Sequence, residues 1–87
     1  MNNWKKLLKE WRMTMIEIFT KNNCQPCRMT KNWFLDKGIN FKETNVDDDL
    51  DALAFLIEND LRTLPIVMVD SEVKSLGFMP NRWEDLL

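Results

Sequence analysis

The chain has 87 residues, of which 45% are hydrophobic and 30% charged, and its formal net charge is −2. This composition is typical of a folded protein, and a chain of this length buries only about 60% of its unfolded surface, so a single domain is expected. The slight acidic excess argues against a protein that binds nucleic acid by neutralising phosphates. Because the sequence has no His and only two Cys, Ser-His-Asp triads, His-containing zinc sites and disulfide-rich secreted scaffolds are excluded.

Membrane attachment and secretion are not expected either. No stretch approaches the ~20 apolar residues of a membrane span, and the N-terminus lacks the apolar segment of a signal peptide. The sequence therefore predicts a cytoplasmic monomer that binds neither membranes nor nucleic acid.

The first twelve residues differ in charge from the rest of the chain, with a net charge of +3 against −5 for residues 13–87. Their apolar residues recur at the spacing of one helical face, at Trp4, Leu7, Leu8 and Trp11. We therefore predict a short amphipathic helical extension over residues 1–12, followed by one domain over residues 13–87. We expect the extension to pack on its own domain or to precede a true start at Met13 or Met15. The alternative that stays open is a helix that binds a membrane surface or a partner.

The next part of the chain alternates between strand and helix patterns. Residues 15–19 favour a strand, residues 25–37 a helix that Gly38 ends, and residues 40–46 a second strand. A second helix follows, with an apolar stripe at Leu50, Leu53, Ala54, Ile57 and Leu61. The aspartates before it lack the glycine and terminal glutamate of a calcium loop, so we expect them to cap this helix and predict no metal site.

The last third of the chain predicts a hairpin and a closing helix. Residues 66–69 and 72–76 are predicted to form two strands joined by a tight turn. Pro80 suits the first position of a closing helix that has Trp83 on its apolar face. The resulting order is β-α-β-α-β-β-α. Strands joined through a helix are expected to be parallel and hairpin strands antiparallel, which gives a mixed four-stranded sheet with helices on both faces.

The motif that carries a reaction is Cys24-Gln25-Pro26-Cys27, which follows the first strand. We expect Cys24 at the N-terminus of the first helix, where unpaired N–H groups and the helix dipole stabilise a thiolate. Positive charge nearby would add to this effect, from Lys21, Arg28 and Lys31. The pKa of the Cys24 thiol is therefore expected below the ~8.5 of a free thiol.

A thiolate at this position is suited to attack a disulfide, and a thiol one helical turn further on is close enough to release the product. Cys24 is thus the candidate attacking residue and Cys27 the candidate resolving residue. Pro26, with its fixed φ, is expected to stiffen the ring between them. From the residues alone, two alternatives stay open: inert packing cysteines, or half of a metal site shared between two chains.

Leu64-Pro65 directly precedes the third strand pattern. Proline is tolerated at the first residue of a strand because it donates no hydrogen bond to the ladder. Both a cis and an ordinary trans peptide bond fit this position.

Four motifs occur in a fixed order over about residues 15–87: Ile18-Phe19-Thr20-Lys21, Cys24-Gln25-Pro26-Cys27, Arg62-Thr63-Leu64-Pro65 and Gly77-Phe78-Met79-Pro80. Together they resemble the glutaredoxins of the thioredoxin fold, and specifically the NrdH-redoxins. The resemblance implies a thioredoxin-like α/β fold in which Cys24 attacks, Cys27 resolves, and Pro65 is a cis-proline facing the disulfide. It also implies that the Leu64 backbone pairs with the substrate chain, and it marks further substrate-binding residues at Lys21, Gln25, Pro26, Gly77 and Phe78.

The resemblance further implies a cofactor-free reductant of protein disulfides. NrdH-redoxins receive electrons from thioredoxin reductase and pass them to class Ib ribonucleotide reductase. Glutathione-using glutaredoxins carry Gly-Gly followed by Asp in the stretch that here reads Leu76-Gly77-Phe78-Met79-Pro80-Asn81, so the charged glutathione anchor is missing. This stretch also differs from the Trp-Ser-Gly-Phe-Arg-Pro of NrdH-redoxins, with Ser75 in place of Trp and Met79 in place of Arg.

Three other functions are compatible with a CxxC motif after a first strand. One is a glutathione-dependent glutaredoxin. Another is an iron–sulfur carrier in which Cys24 of two chains and added thiols hold the cluster. The third is an interaction module like the arsenate-reductase-like regulators, although this chain is short for their helical insertion.

Overall fold

Four strands and two α-helices are present in the computed structural model, which describes residues 15–87. In chain order they are β1 (Ile16–Thr20), α1 (Gln25–Asp36), β2 (Lys42–Asn45), α2 (Leu50–Glu58), β3 (Ile66–Val69) and β4 (Glu72–Leu76). The predicted helical extension over residues 1–12 lies outside the described residues. Within residues 15–87, no helix is long and apolar enough to cross a membrane.

The strands form one mixed sheet in the order β2-β1-β3-β4. β1 is parallel to β2, with Ile18 opposite Glu43, and antiparallel to β3, with Phe19 opposite Ile66. β3 and β4 form the predicted antiparallel hairpin. The register places the end of β1, from which the CxxC motif follows, beside the start of β3.

The two faces of the sheet carry separate cores, because successive side chains of a strand point to opposite faces. On one face Ile16, Ile18 and Val67 pack with Phe34 of α1 and with Trp83. On the other face the core is formed by Phe19, Ile66, Met68, Val46 and Leu56. Helices therefore cover both faces, as the sequence predicts.

The end of α1 and the start of α2 lie where the glycine and the aspartates of the sequence predict them. Gly38 has φ +69°, a left-handed conformation that favours glycine, and the N–H of Ile39 donates to the carbonyl of Phe34 at 3.0 Å. At the start of α2, the side chain of Asp49 accepts a 3.0 Å hydrogen bond from the N–H of Ala52. Asp49 therefore caps this helix, as expected for one member of the acidic run.

The apolar stripe predicted on α2 does not coincide with its buried side. Leu56 is the residue of α2 that the core buries, whereas Leu50 is 78% exposed and Ile57 69% exposed. Ala52, one turn before Leu56, is the half-buried partner. Much of the stripe consequently lies on the surface.

The predicted closing helix is wrong in type. Two separate 3₁₀ turns, Pro80–Arg82 and Glu84–Leu86, occupy its place. Trp83 lies between them, and its side chain is completely buried. A segment this short gains little from helix propagation, so burial of the indole decides its conformation.

Candidate active site

The CxxC motif lies at the junction of β1 and α1. Cys24 is the N-cap of α1 with an extended backbone, and its Sγ accepts a 3.2 Å hydrogen bond from the N–H of Cys27. The carbonyl of Cys24 accepts from the N–H of Arg28 at 3.2 Å and so begins the helical hydrogen bonding. Pro26 occupies the first turn, where the absence of its N–H costs nothing. The predicted position of the motif is confirmed.

Cys24 and Cys27 are joined in a disulfide, with 5.2 Å between their Cα atoms. Both residues are buried, Cys24 at 5% exposure and Cys27 at 2%. The structure therefore represents the oxidised form of the pair, in which the two sulfurs are within bonding distance of each other. Among residues 15–87, no three His, Cys, Asp or Glu side chains lie where they would hold a metal ion.

The three basic residues near the motif differ in their surroundings. Lys21 is exposed, and the guanidinium of Arg28 hydrogen-bonds the side-chain oxygen of Gln25, a neutral group that leaves its charge in place. Lys31, in contrast, forms a 3.0 Å ion pair with Glu43 on β2. Lys31 therefore contributes less positive charge to the cysteines than the sequence suggests.

Glu43 accepts a second hydrogen bond, at 2.8 Å, from the hydroxyl of Thr20 at the end of β1. Partial burial raises the pKa of Glu43, but the hydrogen bonds from Thr20 and Lys31 and the charge of Lys31 together outweigh it and hold the pKa below its ordinary value. This carboxylate joins β1, β2 and α1 just before the CxxC loop. Nothing in the local sequence pattern of β2 identifies this role.

The loop before Cys24 is held by the acidic run after β2. The N–H of Asn22 donates to Asp47 at 2.8 Å, and Asn45 donates from its side-chain amide to the Asn22 side chain at 2.9 Å. Asn23 has φ +55°, a conformation that asparagine adopts more readily than most residues. Asp47 thus positions the active-site loop. The sequence did not predict this role, because all the aspartates before α2 were expected to cap that helix.

The Leu64-Pro65 peptide bond is cis, as the family resemblance implies. Pro65 precedes Ile66, which pairs with Phe19, so it lies at the same end of the sheet as the CxxC loop. Its carbonyl accepts a 2.7 Å hydrogen bond from the N–H of Gly77. Two of the predicted site residues, Pro65 and Gly77, are thereby directly connected.

The predicted role of Phe78 in substrate binding has less support. Its ring packs against the core on the α1 face, with its centroid 5.7 Å from that of Trp83. The neighbouring Met79 is 36% exposed and is the more accessible side chain of this stretch. Gly77 therefore contacts Pro65 through its backbone, whereas Phe78 packs against the core.

Comparison with known proteins gives consistent matches. A model of the glutaredoxin family matches residues 16–74. The glutaredoxin-like protein NrdH of Lactococcus lactis subsp. cremoris is 34% identical over 67 residues, which are 77% of this chain and 92% of the relative. The NrdH protein of Salmonella typhimurium is 38% identical over 66 residues, 76% of this chain and 80% of the relative.

A solved structure also matches, that of the NrdH-redoxin of Escherichia coli, described as a glutaredoxin-like protein with a thioredoxin-like activity profile. The TM-score is 0.77 at 32% sequence identity, with 84% of this chain and 95% of the other covered. The α/β architecture of residues 15–87 is therefore the thioredoxin-like fold.

Proposed function

Since this chain belongs to the glutaredoxin family and is a thiol–disulfide redoxin with a CxxC active-site disulfide, we propose that it reduces protein disulfides as an NrdH-type dithiol donor. The observation that carries the proposal is the position of Cys24. Cys24 is the N-cap of α1. Its sulfur accepts a hydrogen bond from the N–H of Cys27 and forms the disulfide with the Cys27 sulfur. A thiolate formed there is stabilised by a hydrogen bond and by the positive end of the helix.

The reaction begins from the reduced dithiol form. The Cys24 thiolate attacks one sulfur of the target disulfide, forming a mixed disulfide and breaking the target's S–S bond, and the released target thiolate takes up a proton. Cys27, after losing its proton, attacks the Cys24 sulfur and releases the second target thiol. Two electrons thus pass to the target, and the product is the Cys24–Cys27 disulfide.

The geometry supports this division of roles. Cys24 is the more exposed of the two cysteines and lies at the helix end, whereas Cys27 is one turn inside α1 with 2% exposure. The place of Cys24 at the helix end is the reason for assigning the attack to this residue. Resolution by Cys27 keeps the attack within the protein and makes it effectively unimolecular.

The segment before β3 is suited to hold the target chain. Within residues 15–87, no backbone hydrogen bond involves the N–H or carbonyl of Leu64, whereas the carbonyl of Pro65 is occupied by Gly77. An extended substrate segment pairing with the Leu64 backbone would be held at this end of the sheet by main-chain hydrogen bonds, as in a short β-strand addition. Exposed Lys21, Gln25 and Pro26 would border the same substrate.

The proposed partners are thioredoxin reductase as electron source and class Ib ribonucleotide reductase as electron acceptor, in the cytoplasm. The similarity to NrdH proteins supports both. The missing acidic anchor in residues 76–81 supports a reductase rather than glutathione as the source.

The proposal is tested by NADPH oxidation in the presence of a protein disulfide. One reaction contains thioredoxin reductase, and the other contains glutathione with glutathione reductase. Faster turnover with thioredoxin reductase is expected, and turnover with glutathione alone would identify a glutathione-dependent glutaredoxin. Visible absorbance of anaerobically purified protein would instead indicate an iron–sulfur carrier.

The roles of the cysteines are tested in the same assay. Cys24→Ser is expected to abolish reduction, and Cys27→Ser to accumulate a mixed disulfide with the target that mass spectrometry detects. Turnover retained by Cys24→Ser would disprove the assignment of the attacking residue.

A further inference from the structure

A groove of about 390 Å³ opens on the α2 side of the sheet. Arg62 is its charged residue, and its apolar wall is formed by Val46, Leu53, Leu56, Ile57, Leu61 and Leu64. This volume is within the range of ligand-binding clefts, about 300 to 1,000 Å³. Neither cysteine lines the groove, but Leu64 belongs both to its wall and, through its backbone, to the proposed substrate site.

The groove continues into the exposed part of the apolar stripe of α2. Ile57 is 69% exposed, Leu53 37% and Leu50 78%. Single exposed apolar side chains are common, but a contiguous apolar patch that borders a groove is typical of an interaction surface. This surface is therefore suited to an apolar occupant.

We propose that the occupant is residues 4–11 of the same chain, bound with Trp4, Leu7, Leu8 and Trp11 against the groove. These four residues recur at the spacing of one helical face. Two tryptophans supply a large apolar area, about 150 to 250 Å² each, to an otherwise exposed wall. Docking of this segment does not require the redox function of the cysteines.

Charge complementarity favours this segment over other occupants. Residues 1–12 carry a net charge of +3, whereas residues 46–62, which contain α2 and most of the groove wall, carry six acidic residues against one Arg. Basic side chains flanking the apolar face would therefore lie beside Glu58 at the end of α2 and beside Asp60, whose carboxylate also pairs with Arg62 at 2.8 Å. Opposite charge steers and orients such an association.

The segment is also long enough to reach the groove. Met15 is fixed at the start of β1, where its N–H donates to Asp70 at 2.9 Å. Val46, in the groove wall, donates its N–H to the carbonyl of Thr20 at the other end of β1, about 17 Å away at the rise of a strand. Residues 12–14 in extended form and residues 4–11 as a helix together span about 22 Å.

The experiment uses the full-length oxidised chain labelled with 5-fluorotryptophan. The ¹⁹F resonances of Trp4 and Trp11 are assigned with the Trp4→Phe and Trp11→Phe variants. Ile57→Asp then places a charge in the groove, and Leu35→Asp is the matched control, because Leu35 is 65% exposed on α1 over the opposite face of the sheet. Both substitutions replace exposed side chains, so the fold is expected to tolerate them.

The expected result is that Ile57→Asp shifts the Trp4 and Trp11 resonances toward the position of solvent-exposed indole, whereas Leu35→Asp leaves them unchanged. Unchanged resonances in Ile57→Asp would overturn the proposal. Resonances that change on dilution of the unmodified protein would also overturn it, because the occupant would then be a second copy.

A second measurement does not rely on a substitution in the groove. Carbodiimide treatment of the dilute protein is expected to join Lys5, Lys6 or Lys9 to Glu58 or Asp60 within one chain, and peptide mapping of the monomer band identifies the link. A monomer band in which these lysines link only to other carboxylates would contradict the proposal.

Discussion

The indole N–H of Trp83 donates a 2.7 Å hydrogen bond to the hydroxyl of Ser75, and both residues are buried. This bond connects β4 to the C-terminal turns within the core on the α1 face. Ser75→Ala would leave the indole N–H buried without a partner, at a cost of about 1 to 3 kcal/mol in the free energy of unfolding. Urea unfolding followed by circular dichroism measures this loss.

The control for this prediction is a double-mutant cycle with Trp83→Phe. Because Phe cannot donate a hydrogen bond, the double variant is expected to be more stable than the sum of the two single losses implies. Strict additivity would show that the hydrogen bond contributes nothing beyond packing.

Several elements of the fold follow from the sequence alone, but the conformation around Trp83 does not. β3 and β4 are predicted with correct bounds, since their β-prone runs are interrupted by a tight turn. The position of Cys24 at the start of α1 is also predicted, because the strand pattern ends shortly before it. The spacing of Trp83 and Leu86 suggests a helix, however, and only the tertiary position of the indole shows why two turns replace it.

The site shows a similar limit. Cys24 and Cys27 are identified by their spacing and local context, which are properties of a single segment. Glu43 and Asp47 are not identified, because their roles come from contacts with Thr20 and Asn22 more than twenty residues earlier in the chain. Periodicity on α2 finds apolar residues but does not distinguish a core face from a docking face.

A second prediction concerns the loop before Cys24. Asp47→Ala removes the acceptor of the Asn22 N–H and is expected to cost about 1 kcal/mol and to slow disulfide reduction, since the loop that positions Cys24 loosens. Asp48→Ala is the control, because it removes the same charge from an exposed neighbour. Equal reduction rates for the two variants would show that charge, and not the loop contact, matters.

A third prediction concerns Gly77, whose φ of +88° is unfavourable for other residues. A Cβ there would meet its nearest atom, Thr63 Cγ2, at 3.8 Å, so Gly77→Ala costs about 1 to 2 kcal/mol through backbone conformation and not through a clash. The altered backbone would weaken the bond to Pro65 and lower the rate of disulfide reduction.

Gly38→Ala provides the matched comparison for Gly77. Gly38 also has a positive φ, of +69°, in open space, but it ends α1 at a distance from the Pro65 segment. Both variants are expected to lose similar stability in urea, whereas only Gly77→Ala is expected to lose activity. A parallel loss of activity in Gly38→Ala would assign the effect to general destabilisation.

The last prediction concerns the dependence of stability on pH. The pKa of Glu43 in the folded protein is lowered from its ordinary value of 4.5, so this carboxylate contributes stability that is fully present above pH 4.5 and is lost as the pH falls through its folded-state pKa. Glu43→Gln is therefore expected to be less stable than the unmodified protein at pH 7, with the difference shrinking as the pH falls below 4.5. Both proteins retain the Lys74–Asp85 pair, so the difference in urea unfolding free energy isolates Glu43. A pH-independent difference between Glu43→Gln and the unmodified protein would show that the hydrogen bonds of Glu43 do not require the charge.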